Sequence, residues 1–324
     1  MFRRVRLTCP GYLASTTDAF EVVECGQPEP SPGEVLVRVD HVSLDPYQKI
    51  RLRTLETGAT PPAGGVGQVV ASRDTALPEG TWVTGELGWT DHALAQGEHL
   101  TVIYPVPDIP LYHYVGILGL SGLTAFFGMT QVLRPQATQK IVVSGAYGGV
   151  GQVACQIARR VGADVLGLTG AGEKRAALAE LGISSIDYRV AGWARELSAW
   201  APEGIDGYFD NVWGSTSSRV VEQLRPLSRI ALCGQMSGLA GGRVPPLDID
   251  WYLILTRSLT LQGFRTVDYL EYWPEARRQL AEWFRGGELR QGICVVEGLE
   301  KAGAAFEDLL NGRSVGKTIV NTRP

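Results

Sequence analysis

"VSGAYGGVGQ", Val143 to Gln152, joins a run of strand-forming residues, KIVVSG, to GQVACQIARRVG, whose apolar spacing predicts an amphipathic helix ending at Gly162. Its glycines either cradle a phosphate or merely turn a corner. A strand before and a helix after is the context that gives a glycine pattern physical meaning. Gly148 and Gly149 would let the backbone approach a pyrophosphate, Gly151 would allow close helix–strand packing, and the helix start would offer N–H groups to an anion. The pattern departs from a strict G-x-G-x-x-G, since Ala146 stands where the first glycine would be. Taken alone, the loop also fits a tight strand–helix turn built from small residues.

The next strand narrows the choice. Folds that prefer NAD place Asp or Glu at its end to hold the ribose hydroxyls. Here DVLGLTGAGEKR ends its strand at Leu168, Thr169 and Gly170 with no acid, and Lys174 follows shortly after. An acid would repel a 2′-phosphate, so its absence beside Lys174 favours NADP; the alternative for Lys174 is a solvated lysine in a first helical turn. Working outward, EKRAALAELG reads as a helix stopped by Gly182, and GYFDNV and SRIALCG as two more buried strands. This alternation predicts a Rossmann-type doubly wound parallel sheet over residues 116–289, an α/β fold class.

Residues 1–115 read differently. GEVLVRVDHVSL, GGVGQVVAS, TWVTGEL and HLTVIYPVP are short strand signals separated by Gly and Pro, the spacing of a partly open barrel. Near the C-terminus WPEARRQLAEWFRGGEL predicts a helix, and a strand, a helix and a strand follow within residues 290–324, a tail expected to rejoin the first lobe. Trp251, Tyr252 and Phe264 read as lobe core or as an apolar wall.

Length, composition and charge bound the function. A chain of 324 residues, 44% hydrophobic and 20% charged, is long enough for two domains with their own cores. A net charge of −4 gives no electrostatic reason to expect nucleic acid or an anionic membrane. Pro10 and Gly11 interrupt the basic start before any apolar signal region, and no stretch is long enough to span a bilayer. Five scattered cysteines without a C-x-x-C pair fit free thiols in the cytoplasm. No metal is expected: His41, His92, His99 and His113 form no ligand pattern with a nearby cysteine, and His92 reads as a surface or cleft-edge residue.

With these pieces placed, the chain resembles the medium-chain dehydrogenase/reductases, and within them the zinc-free double-bond reductases typified by prostaglandin and 2-alkenal reductase. VSLDPYQK, GLSGLTAFFG, VSGAYGGVGQ, GEKRAALAELG, YFDNVWG, RIALCGQMS and GKTIV carry the resemblance almost end to end. It implies a GroES-like β-barrel domain at 1–115 completed by 290–324, and NADPH in the cleft between lobes. It further implies that Gly148, Gly149, Val150 and Gly151 lie under the pyrophosphate, that Lys174 and Tyr188 contact the 2′-phosphate, and that Thr124, Thr169, Asn211 and Cys233 border the cofactor. Tyr188 also fits a packing residue at a strand end. Ser121-Gly122 and Trp213 depart from the family pattern, and an asparagine expected before GKTIV corresponds to Ser314 or is displaced to Asn311.

The implied activity is NADPH-dependent reduction of the conjugated C=C of an enone, enal or polyenone, a small apolar substrate. Hydride addition there leaves an enolate that needs hydrogen-bond donors and a proton, not a strong Lewis acid. Tyr47, and Tyr269 or Tyr272, are the candidate donors, although Tyr47 also fits a core tyrosine and water could supply the proton. Arg51 and Arg53 either bind an acidic group or are ordinary loop arginines. A quinone oxidoreductase, a natural-product tailoring reductase that closes a ring (a reductive cyclase), and a non-catalytic NADPH-binding protein share this frame. The run WYLILTRSLTLQGF, Trp251 to Phe264, resembles the segment through which family members dimerise, and a buried helix and strand would explain it as well.

Overall fold

β-Branched residues set the first part of the chain. The computed structural model describes residues 1–9, 17–170, 172–241, 246 and 248–323, so Pro10 and Gly11 lie outside it. β1 (Phe2–Leu7) and β2 (Phe20–Cys25) form an antiparallel pair with Leu7 opposite Phe20. A larger sheet is built from β3 (Glu34–Ser43), β4 (Gly64–Ser72), β5 (Trp82–Glu86), β6 (His92–Gln96) and β7 (Thr101–Val102). β3 is central, antiparallel to both β4 and β6. Val35, Leu36, Val37, Val39 and Val42 along it are all buried, so both of its faces are covered. Gly67 is required where β4 crosses β3: a Cβ there would stand 2.2 Å from the Arg38 carbonyl oxygen. HLTVIYPVP yields only the two residues of β7, because Gly97–His99 turns as a 3₁₀ helix and Pro105 brings no N–H to a ladder.

The second unit is the doubly wound sheet. β8 (Lys140–Ser144), β9 (Asp164–Thr169), β10 (Ser184–Asp187), β11 (Ile205–Asp210), β12 (Leu224–Leu232) and β13 (Thr260–Gly263) are parallel, in the order β10-β9-β8-β11-β12-β13. The winding reverses between β8 and β11, which makes the carboxyl ends of those strands the place where such a sheet opens a crevice. The helix Gly151–Arg160 buries Val153, Ala154, Cys155, Ile157 and Ala158. Burying Val153 and Ile157 contributes about 1.5–3 kcal/mol each. Arg159 and Arg160 end it, where cations suit the helix dipole.

The core reading of Trp251 and Tyr252 is overturned. In the helix Trp251–Thr256 they are 73% and 65% exposed, and Leu255 is 72% exposed. That helix has fewer than two turns; Ile254 packs on the sheet core and Leu253 is half-buried, which leaves Trp251, Tyr252 and Leu255 exposed. Phe264 is half-buried against Phe209, with ring centroids 6.2 Å apart.

After the helix Trp273–Arg285 the chain forms β14 (Ile293–Glu297), the helix Ala302–Leu310 and β15 (Lys317–Asn321). β15 lies antiparallel to β3, with Ile319 opposite Ser43, so the C-terminal strand completes the first sheet. Residues 1–116, 293–314 and 318–324 form one compact unit, and 117–292 with 315–317 the other. The fold class is α/β: a Rossmann-type sheet with a GroES-like β-barrel unit. Among the described residues no helix is long and apolar enough to cross a membrane.

Candidate functional site

β8 delivers the chain to the glycine loop at the point of winding reversal. Gly145 turns with φ +58°, and its carbonyl accepts the Gly148 N–H at 2.9 Å. A Cβ on Gly151 would stand 2.2 Å from that same carbonyl oxygen, so the helix can begin this close to the strand only with glycine there. The departure at Ala146 has a packing reason. Its methyl is fully buried against β9, where a Cβ on Gly167 would lie 2.7 Å away, and its N–H bonds to the Leu168 carbonyl at 3.1 Å. No side chain caps the helix that starts at Gly151, and its N-cap residue is Val150. The Gln152 N–H donates back to the Gly148 carbonyl at 3.2 Å, and no side chain caps the helix start that faces an incoming anion.

Three residues outside the predicted set support the loop. Gln152 is fully buried; its amide donates to the Gly292 carbonyl at 3.2 Å and its Oε1 accepts the Gly292 N–H at 2.7 Å. Gln291 donates to the Gly149 carbonyl at 3.0 Å. The Lys317 side chain runs past Gly149, its Cδ 2.8 Å from where a Cβ would be. In the sequence these residues are marked only by their glycine neighbours: Gln152 follows Gly151, Gln291 precedes Gly292 and Lys317 follows Gly316.

The end of β11 is fixed by a buried carboxylate. Asp210 Oδ1 accepts from Ser144 Oγ (3.1 Å), the Tyr208 hydroxyl (2.9 Å) and the Val212 and Trp213 N–H groups (2.9 Å each), while Ser217 Oγ donates to Oδ2 at 2.5 Å. Asn211 is locked to β8, donating its backbone N–H to Ser144 Oγ at 2.9 Å and its side-chain amide to the Ser144 carbonyl at 2.7 Å. Trp213 sits in the same turn at φ +68°, a conformation costly for a bulky side chain. Cys233 follows β12, its N–H bonded to the Asp210 carbonyl at 2.9 Å. Its thiol is pushed up to about 12 by loss of water and then by the Asp210 carboxylate, so it stays protonated at neutral pH.

The ends of β9 and β10 lie side by side, with Thr169 opposite Asp187. Thr169 is buried, Lys174 and Tyr188 are partly buried, and Arg189 forks onto the Asp187 carboxylate. Lys174 is held below the ordinary lysine range by loss of water and then by the Arg189 charge. Tyr188 is raised by loss of water. An open groove continues from Tyr188 past Trp193, Arg195 and Arg219.

The remaining predicted residues are dispersed. Thr124 Oγ1 donates to the Leu120 carbonyl and shares a hydrogen with Thr266 Oγ1, at 2.7 Å each. Tyr269 stacks on Phe127 with centroids 4.7 Å apart, and the exposed Tyr272 hydroxyl bonds to Glu271. Tyr47 belongs to the first unit, just before the short helix Gln48–Leu52. Its phenol is raised above the ordinary range by loss of water, then by Asp45 and Glu86, so it remains a donor through neutral pH. Arg51 pairs with Glu86, Nη2 to Oε1 at 2.9 Å. His113 is lowered to about 4 by burial, and His92 Nδ1 contacts Asp91 Oδ1 at 3.0 Å. Among the described residues no group of three or more His, Cys, Asp and Glu could hold a metal ion.

Within the second unit, an uncapped helix start, glycines at close approach and a β9 that ends without an acid of its own, beside Lys174 and an Asp187 already paired with Arg189, fit a dinucleotide with a phosphorylated ribose. Comparison with known proteins points the same way. Residues 8–103 match the family model described as an N-terminal domain of oxidoreductase, and residues 149–282 that of a zinc-binding dehydrogenase. Prostaglandin reductase 1 of Sus scrofa is 34% identical, covering 94% of each chain, and the NADPH-dependent curcumin reductase of Escherichia coli is 31% identical, covering 98% of this chain and 96% of the other. The crystal structure of CurA from Vibrio vulnificus in complex with NADPH superposes with a TM-score of 0.92 at 30% identity, covering 99% of both chains. The chain belongs to the medium-chain dehydrogenase/reductase family, in the group of the prostaglandin and curcumin reductases.

Proposed function

From that membership we propose that the chain is an NADPH-dependent double-bond reductase acting on conjugated carbonyl compounds of small, apolar type. The observation that carries this is the end of β9: Thr169 and Gly170 bring no acid, and Lys174 and Arg189 stand beside them. NADPH, when bound, supplies the hydride that adds to the β-carbon of an enone and leaves an enolate. Gly148, Gly149, Val150 and Gly151 hold the pyrophosphate, Lys174 and Tyr188 the 2′-phosphate, and Thr124, Thr169, Asn211 and Cys233 border the nucleotide. Asn211 is held to β8 by both its backbone and its side chain: its N–H donates to Ser144 Oγ and its side-chain amide to the Ser144 carbonyl.

Tyr47 is the donor that this reading selects. Tyr269 is stacked on Phe127 and the Tyr272 hydroxyl is taken by Glu271, whereas the Tyr47 phenol is half-buried and protonated. A phenol raised this way is a weak acid. It hydrogen-bonds the substrate oxygen and stabilises the enolate, and water supplies the proton that reaches the α-carbon. The reaction proceeds without a metal.

The protein acts in the cytoplasm as a homodimer. Five free thiols support the first statement. The exposed Trp251, Tyr252 and Leu255 near β13, the last strand of the parallel sheet, support the second. Titration with NADPH and NADH, followed by energy transfer from tryptophan, tests the cofactor. Tight binding of NADPH and weak binding of NADH is expected; equal binding of both contradicts the reading.

A further inference from the structure

We propose that Gln48 is a positioning residue for the reaction: its buried amide clamps the turn after β3 and so fixes where Tyr47 presents its phenol. This rests on the reading of Tyr47 as the donor to the substrate oxygen. It names the side chain that holds that donor in place.

Tyr47 stands between β3, which ends at Ser43, and the helix Gln48–Leu52, all within the first unit. Asp45 opens the turn and Pro46 follows it, the order that a type I turn favours, and the Gln48 N–H closes it on the Asp45 carbonyl at 3.0 Å. The Gln48 side chain then spans the connection. Its Nε2 donates to the Ser43 carbonyl at 2.9 Å, and its Oε1 accepts the Asp45 N–H at 3.0 Å. Gln48 is fully buried. An apolar side chain of the same length would fill that space without stripping water from an amide, and would leave the Asp45 N–H without this acceptor. What the amide adds is registration. Tyr47 lies between Asp45 and Gln48, so its backbone cannot shift without breaking one of these bonds.

A second tether acts on the same turn, where Ser43 Oγ donates to Asp45 Oδ2. Asp45 and Glu86 are the acids that bear on the phenol, and Arg51 is the cation. Ser43 holds the first acid and Arg51 the second, Nη2 to Oε1 at 2.9 Å. The turn therefore sets both the depth of the phenol and its distance from fixed charges. A hydrogen bond to a developing enolate depends steeply on that placement, since an error of about 1 Å can cost roughly 100-fold.

Two substitutions in the full chain test this, each made in the wild type and in Tyr47→Phe. Gln48→Met keeps the length and removes both bonds. Gln48→Glu keeps the acceptor, and its neutral acid also donates to the Ser43 carbonyl, so the clamp is restored at low pH and lost as the buried carboxyl ionises. Rates with NADPH and a simple enone are read against pH, with the NADPH dissociation constant and thermal melting as controls. Gln48→Met should lower kcat/KM roughly 10- to 100-fold in the wild type, mostly in kcat, and less than about threefold in Tyr47→Phe, with NADPH affinity unchanged. Gln48→Glu should approach wild-type rates at the acid end of the profile and fall toward Gln48→Met as pH rises, a fall absent from the Tyr47→Phe background. If Tyr47→Phe lowers the rate while Gln48→Met costs the same in both backgrounds, or nothing, the inference is overturned and the Tyr47 reading stands. If Gln48→Met does not fold, the Gln48→Glu profile decides, and a profile identical to wild type overturns the inference. Failure of both variants to fold overturns it too, since the amide then serves the fold alone. If Tyr47→Phe itself costs nothing, both readings fall.

Discussion

Asp210 is a residue whose identity is visible in the sequence and whose work is not. FDNV marks a strand end, but only the fold shows five donors converging on one carboxylate. Removing a buried, fully bonded charge leaves its donors without a partner, and Asp210→Ala should cost about 3 kcal/mol. Denaturant unfolding checks this; a loss under about 1 kcal/mol would mean that water replaces the carboxylate. Tyr47 makes a second prediction at this scale. Tyr47→Phe should lower kcat/KM with an enone roughly 10- to 100-fold, the loss of one transition-state hydrogen bond, while the NADPH dissociation constant stays unchanged. Because the folded phenol is raised above its unfolded value, its protonated form persists as pH rises through 10. Any stability that this shift confers is complete below the unfolded pKa and lost only as pH climbs through the folded one. The wild-type rate should therefore show no Tyr47-dependent fall up to about pH 10. A fall centred near 8 that disappears in Tyr47→Phe would contradict this.

Among the elements, strand β8, its glycine loop and the helix Gly151–Arg160 were legible, because buried-strand composition, glycine placement and helical periodicity agree within one short stretch. The local signal also gave Gly151 its packing role. Gly151→Ala places a methyl 2.2 Å from the Gly145 carbonyl oxygen, so the helix must retreat from the strand. NADPH affinity should fall at least tenfold with a lower melting temperature, and wild-type affinity in that variant would refute the packing argument. Gln152, Gln291 and Lys317 were not legible as partners of the loop, since sequence separations such as the 142 residues between Gly149 and Gln291 carry no local pattern. The same holds for HLTVIYPVP: its composition is right for a strand, and a 3₁₀ turn and a proline shorten it to two residues.

Across the whole molecule, the division into a β-rich part and an alternating β/α part was readable because each class imposes its own period on the apolar residues. Burial of the Trp251–Phe264 run was not readable, because an apolar helix looks the same whether a core or another chain covers it. Trp251 and Leu255 stand more than 70% exposed here. If a second copy covers them, sedimentation should give a dimer that Leu255→Lys dissociates, whereas a wild-type monomer would refute the dimer. The central claim concerns chemistry, and isotope transfer addresses it most directly. Incubating the protein with NADPH deuterated at C4 of the nicotinamide and a simple enone, and analysing the product by mass spectrometry and NMR, should give the saturated ketone with one deuterium on the β-carbon. An allylic alcohol with deuterium on the carbinol carbon would contradict double-bond reduction.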